Sequence, residues 1–184
     1  MKKNSMAKYI SLFLIAVTPQ CAADMEKSKI RHDVWIEAES PSNVNHRHEV
    51  KESSGAFGGK TLRIEKSNLP TKKGFEFNYD FEINKDGKYR INIASFPLGI
   101  SWTSPIKWSV DTGELKKVKT KKEAARSYIP DDNSPKQKMG LFKLGDVMLK
   151  KGSHRLNIVI DIPRSTDGKY ALQMDAFYLV KRSN

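Results

Sequence analysis

Cysteine is nearly missing from this 184-residue chain, and Cys21 is its one thiol. That excludes a disulfide framework and a cysteine-rich metal site, since both need several thiols. Long apolar runs are missing too. The longest, Tyr9 to Val17, is about half of the roughly 20 residues a membrane-spanning helix needs. Helical periodicity is scarce, and the segment Lys121 to Tyr128 has room for two turns at most. No Ser/His/Asp or Cys/His set and no phosphate-cradling glycine motif is present. Asp131 and Asp132 are adjacent, whereas glycosidase carboxylates flank the scissile bond about 5 Å or more apart. His46-Arg47-His48 supplies two imidazoles, too few to close a zinc shell, and its polar setting reads as a loop. An enzyme is therefore not expected.

Acidic residues are in deficit, with 21 Asp and Glu against 33 Lys and Arg, a net charge of +12. Met1 to Lys8 is basic, Tyr9 to Val17 is apolar, and Gln20-Cys21-Ala22-Ala23 offers small residues. That order is the pattern of a secretory signal. It predicts an exported protein, either periplasmic, cell-surface or secreted. Two fates stay open for Cys21. Cleavage after Ala23 removes it, and cleavage before it makes it a lipidated N-terminus, the one expected route to a membrane. Thr18-Pro19-Gln20 departs from the small residues of a lipoprotein box. Without residues 1–23, 30 Lys and Arg remain against 21 acids, still +9. The remainder is about 160 residues, enough for one domain with its own core. Residues 24–33 form a short polar lead-in and 34–184 the domain. The surplus positive charge suits a polyanionic partner.

Period-two alternation dominates what remains. Phe75, Phe77, Tyr79, Phe81 and Ile83 alternate with polar residues, as do Tyr89, Ile91 and Ile93, so each run has one apolar face. Asn84-Lys85-Asp86-Gly87 is turn chemistry between them and predicts an antiparallel hairpin. Ile106, Trp108 and Val110 alternate likewise, which puts Trp108 in the core. Leu156, Ile158, Ile160 and Ile162 follow the same pattern. Further strands are expected at Val34–Glu39, Lys60–Glu65, Leu141–Leu149 and Tyr170–Val180. Eight or nine short strands with glycine turns predict an all-β sandwich or barrel.

Six segments, in order, carry a family resemblance. They are Trp35-Ile36-Glu37-Ala38-Glu39, Gly55-Ala56-Phe57-Gly58-Gly59, Asp86 to Ile93, Trp108-Ser109-Val110-Asp111, Val147 to Ile158, and Gln173-Met174-Asp175-Ala176-Phe177. Together they resemble carbohydrate-binding module families six and thirty-five, within the galactose-binding-like jelly rolls. The resemblance spans nearly all of the chain after residue 33. It implies a jelly-roll β-sandwich, a non-catalytic polysaccharide-binding function and a structural calcium ion.

On a strand, Glu37 and Glu39 share a face. Paired carboxylates repel unless a cation sits between them, and calcium takes six to eight oxygens. The resemblance implies that Asp175 completes the acidic set. A solvated strand face without metal is the alternative. For the sugar site, the resemblance implies an aromatic after the first glycine turn, a second aromatic on a later loop, and an amide near the last strand. Phe57 stands where tyrosine is common, with a core role as its alternative, and Gln173 stands where asparagine is common. Trp102 and Tyr128 are the candidates for the second ring, Trp102 first. The densest basic run holds Lys116, Lys117, Lys119, Lys121, Lys122 and Arg126, with Lys136, Lys138 and Lys143 after it. Lys117 and Lys119 would set ammonium groups beside a uronic or sulfated glycan, or the run is a solvated insertion. An acidic polysaccharide is thus the expected partner, nucleic acid is not, and a monomer is expected. A small jelly-roll lyase or hydrolase and a protein-binding adaptor are the alternatives.

Overall fold

The structure, a computed structural model, describes residues 27, 30–118, 124, 126–128 and 138–183. Its described strands are β1 (Val34–Glu37), β2 (Asn43–Val44), β3 (Glu49–Glu52), β4 (Lys60–Lys66), β5 (Phe75–Ile83), β6 (Gly87–Ser95), β7 (Lys107–Val110), β8 (Lys116–Lys117), β9 (Ser127–Tyr128), β10 (Met139–Leu149), β11 (Gly152–Ile160) and β12 (Tyr170–Lys181). They form two antiparallel sheets. One runs β3-β4-β12-β6-β10-β9 with β1 also on β12, and the other runs β2-β5-β11-β7-β8. This is the expected jelly-roll β-sandwich.

The alternating residues of β5 face inward as predicted. Phe75, Phe77, Tyr79, Phe81 and Ile83 pack with Tyr89, Ile91 and Ile93 of β6 and with Phe177 and Leu179 of β12. Burying each such side chain stabilises by about 1.5–3 kcal/mol. Trp108 lies in this core as expected. The polar end of Tyr79 is also satisfied, since its hydroxyl donates to the Ala38 carbonyl at 2.9 Å.

Four expectations change. The run over residues 75–93 is not a hairpin, because β5 pairs with β2 and β11 while β6 pairs with β10 and β12. The Asn84–Gly87 turn instead carries the chain from one sheet to the other. The first strand ends at Glu37, and Ala38 and Glu39 form a turn. Tyr128, expected on a loop, lies in strand β9 (Ser127–Tyr128). His46 is not a solvated loop residue, for its ring packs edge-on against Phe75 and Phe77 at 4.8 and 4.7 Å.

Two β-bulges decide which side chains share a face. β12 slips register between Met174 and Ala176, and β10 between Lys143 and Gly145. A bulge inserts one residue and so reverses the inside–outside alternation beyond it. Leu172 and Met174 therefore face the main core before the β12 bulge, and Phe177 and Leu179 after it. Ala176 and Tyr178 join a second apolar cluster with Ile30, Phe57, Ala94 and Leu141. At the β10 bulge, a Cβ on Gly145 would stand 2.5 Å from the Trp108 ring, so only glycine lets this strand pass.

Candidate functional site

Asp175 is the residue inserted at the β12 bulge, and the bulge lies at a seam. Along one edge of β12, β4 pairs as far as Met174 and β1 begins at Ala176. The Ala38 amide closes the seam by donating to the Asp175 carbonyl at 2.9 Å. This arrangement brings the end of β1, the glycine turn before β4 and the Asp175 side chain together. Gly58 lies at φ 71, in the left-handed region that favours glycine, and a Cβ there would stand in ordinary contact with Glu37 Oε2 at 3.5 Å and Glu39 Oε1 at 3.6 Å. Both glutamates thus lie over one glycine.

Asp175 is fully buried. Its Oδ2 accepts from the Phe57 amide at 3.1 Å and from the Tyr128 hydroxyl. Three buried carboxylate oxygens have no hydrogen-bond partner among the described residues: Glu37 Oε2, Glu39 Oε2 and Asp175 Oδ1. Burial pushes the Asp175 carboxyl well above the usual carboxylate range; the Tyr128 and Phe57 donors oppose the shift, and Glu37 and Glu39 add to it. Burial also raises Glu39, its own amide opposes this, and Glu37 adds a further upward push. Lys27 supplies partial compensation. Its Nζ is 2.8 Å from Glu37 Oε1 and 4.8 Å from the centroid of the Trp35 ring. Among the described residues, no group of three His, Cys, Asp or Glu is gathered closely enough to hold a metal ion as it stands. The donor chemistry and the three orphaned oxygens still suit a hard, oxygen-seeking cation.

The aromatic residues separate into two kinds. Phe57 is 3% exposed, and its ring lies 5.0 Å from Trp35 and 4.9 Å from Tyr128. It fills the second apolar cluster, so it is no open platform for a sugar. Tyr128 turns its hydroxyl inward onto Asp175, which makes it a partner of the carboxylate rather than a loop ring. Trp102 is different. It is 44% exposed, touches Phe96 edge-on at 5.4 Å, and lines a groove of about 610 Å³. Gln173 lines the same groove, so the structure joins these two expected residues. The Gln173 amide also donates to Thr61 Oγ1 at 2.7 Å, which fixes its orientation.

The basic residues of this groove are Lys51, Arg63, Lys138 and Arg164, against Glu65 alone among carboxylates. Sequence reasoning missed Lys51, Arg63 and Arg164, because they come from β3, β4 and the loop after β11. The described members of the expected basic run are dispersed instead. Lys117 lies on β8, at the edge of the other sheet and outside the groove lining. Lys116 sits over the Trp108 ring at 5.2 Å, and Lys143 pairs with Asp146 at 2.9 Å. Lys119, Lys121, Lys122 and Lys136, like Asp131 and Asp132, fall outside the described residues.

No protein-family model and no curated protein matches the sequence. Solved structures do resemble it. A family 35 carbohydrate-binding module from Clostridium thermocellum superposes with a TM-score of 0.52 at 16% identity, over 80% of this chain and 98% of that one. An exo-β-1,3-galactanase from Phanerochaete chrysosporium matches 83% of this chain, with a TM-score of 0.52 and 16% identity, through 30% of its own length. A Paenibacillus xanthan lyase matches 84% of it, with a TM-score of 0.58 and 17% identity, through 14% of its own. This chain thus spans less than a third of either enzyme. The protein has the fold of a family 35 carbohydrate-binding module.

Proposed function

We propose that this is an exported, non-catalytic carbohydrate-binding domain. It takes an acidic polysaccharide in the Trp102 groove and holds a structural calcium ion at the Glu37–Glu39–Asp175 seam. The signal-like residues 1–23 support export. The observation that carries the binding reading is that the half-exposed Trp102 and the oriented amide of Gln173 line one groove, together with four basic side chains and one acidic one. An indole face covers the apolar face of a sugar ring, while an amide both donates to and accepts from hydroxyls. The cationic rim favours a glycan bearing carboxylates or sulfates.

Calcium at the seam would supply charge neutralisation and ligation, not chemistry on a substrate. Glu37, Glu39 and Asp175 would hold it, and their three unpartnered oxygens support the assignment. The seam would then cross-link β1, the turn before β4 and β12. In this reading, Phe57 and Tyr128 serve the seam by donating to Asp175, and they do not contact the glycan.

Affinity for polygalacturonate and for a neutral galactan, measured across a salt series, tests the glycan reading. Binding to the polyanion should weaken steeply with salt as counterions are released, as it does on nucleic-acid phosphates. Trp102→Ala should weaken it about five- to tenfold, near the lower end of aromatic stacking energies. Equal binding by wild type and Trp102→Ala would refute the groove. A blank result on all glycans would instead favour a protein-binding adaptor.

A further inference from the structure

We propose that Arg164 is a positioning residue for the Trp102 platform, an inference that rests on the groove reading above. Trp102 sits on a loop, where the ring of Phe96 is its aromatic neighbour. A large side chain on an untethered loop would lose rotational freedom on stacking against a sugar, and that loss subtracts from affinity. The structure restrains the loop from the segment that joins β11 to β12. Arg164 NH1 donates to the Trp102 carbonyl at 3.3 Å. The same guanidinium donates through Nε and NH2 to both carboxylate oxygens of Asp167, each at 2.7 Å, and through NH2 to Glu65 Oε1 on β4 at 2.9 Å.

The fork is itself built into a closed turn. The Arg164 amide donates to the Lys169 carbonyl at 2.8 Å, and the Gly168 amide returns to the Arg164 carbonyl at 3.2 Å. Gly168 lies at φ 74, in the left-handed region that favours glycine. Thr166 adds a second link, its amide donating to the Ser101 carbonyl at 2.9 Å. The Trp102 loop is braced internally, where Thr103 Oγ1 donates to the Pro97 carbonyl at 2.5 Å. It is also joined to β12, because the Ser104 amide donates to the Ala171 carbonyl at 2.7 Å. Arg164 bridges three elements at once: the Trp102 loop, its own turn and β4. A planar guanidinium with five donors can do this, whereas a lysine ammonium with three donors at one point cannot.

Arg164→Lys tests the proposal, because it keeps the charge beside Glu65 and Asp167 and removes the fork. The protein is labelled with 5-fluorotryptophan, and its three tryptophans give three fluorine resonances, with Trp102 assigned through Trp102→Phe. In Arg164→Lys the Trp102 resonance should move and narrow toward that of a free, solvated indole, while those of Trp35 and Trp108 stay in place. Polygalacturonate should bind about three- to tenfold more weakly, the cost of ordering one freed side chain. The melting temperature should fall by no more than about 4 °C, since lysine keeps the positive charge beside Glu65 and Asp167. Arg164→Lys/Trp102→Ala should bind no more weakly than Trp102→Ala alone, because the two residues act through one ring. An unmoved Trp102 resonance, or additive losses in the double variant, would overturn the proposal. Failure of wild type to bind polygalacturonate would count against the groove reading, and the fluorine spectra would still decide the role of Arg164.

Discussion

Replacing Asp175 with asparagine should have opposite consequences in chelator and in calcium. In chelator, the wild-type seam holds a buried carboxyl against Glu37 and Glu39, with Asp175 Oδ1 unpartnered. Asparagine keeps an oxygen to accept from the Phe57 amide and the Tyr128 hydroxyl, and it removes the charge that burial penalises. Its NH2 group takes the place of an atom that is already unpartnered. The variant should therefore be as stable as wild type in chelator, or up to about 1–2 kcal/mol more stable. In calcium the order should reverse. A ligand confined to the folded state adds about 2.7 kcal/mol at a hundredfold excess over its Kd. At this chain length each kcal/mol moves Tm by about 2–4 °C, so wild type should gain about 5–10 °C. Asp175→Asn should gain little, having lost a full negative ligand. The assay is thermal unfolding of both proteins in calcium and in chelator, with isothermal titration of the metal. Identical wild-type curves in the two buffers would refute the metal assignment. An equal gain in Asp175→Asn would show that calcium binds elsewhere.

Phe57→Ala should destabilise the domain by about 3–5 kcal/mol, because it empties a buried site, while Trp102→Ala should leave the denaturation midpoint nearly unchanged. Paired urea titrations separate the two, and similar midpoints would contradict the assignment of Phe57 to the core. Lys27→Gln should tighten calcium binding about two- to fivefold by removing an ammonium that competes for Glu37, as read by isothermal titration. Unchanged or weaker binding would mean that Lys27 does not compete. His46 is held at about 4 by burial between aromatic rings, with His48 and Lys66 adding to the shift. The unfolded chain takes up its proton first as pH falls, so stability should be full above about 6.5 and decline as pH drops toward 4. With the ring only partly buried, the loss should be about 1–2 kcal/mol once screening is allowed for. His46→Asn should flatten that slope in urea titrations at stepped pH, and an undiminished slope would assign it to other groups.

Alternation in the sequence was enough to identify β5, β6, β7 and β11 and their apolar faces, since a half-buried strand repeats every two residues whatever its partner. For the same reason it left the partner open. β5 and β6 meet at a turn yet lie in different sheets, and only the packed sandwich decides that. The bulges left a trace that could have been read. Leu172, Met174, Phe177 and Leu179 skip one residue at Asp175, and Phe142, Leu144, Val147 and Leu149 skip one near Gly145. Glu37, Glu39 and Asp175 were legible through their family resemblance, but the seam that gathers them exists only once β1 and β4 share one edge of β12. Phe57 shows the limit most clearly, because an aromatic after a glycine turn has the same sequence signature whether its ring is buried or open. The basic groove was the least legible feature. Its Lys51, Arg63, Lys138 and Arg164 lie far apart along the chain. Strand pairing sets Lys51 and Arg63 side by side, and only the folded chain brings the loop residue Arg164 and Lys138, just before β10, to the same groove as Trp102. The contiguous lysine run drew attention because it was adjacent in sequence, whereas charge acts through distance in space, which only the tertiary structure determines.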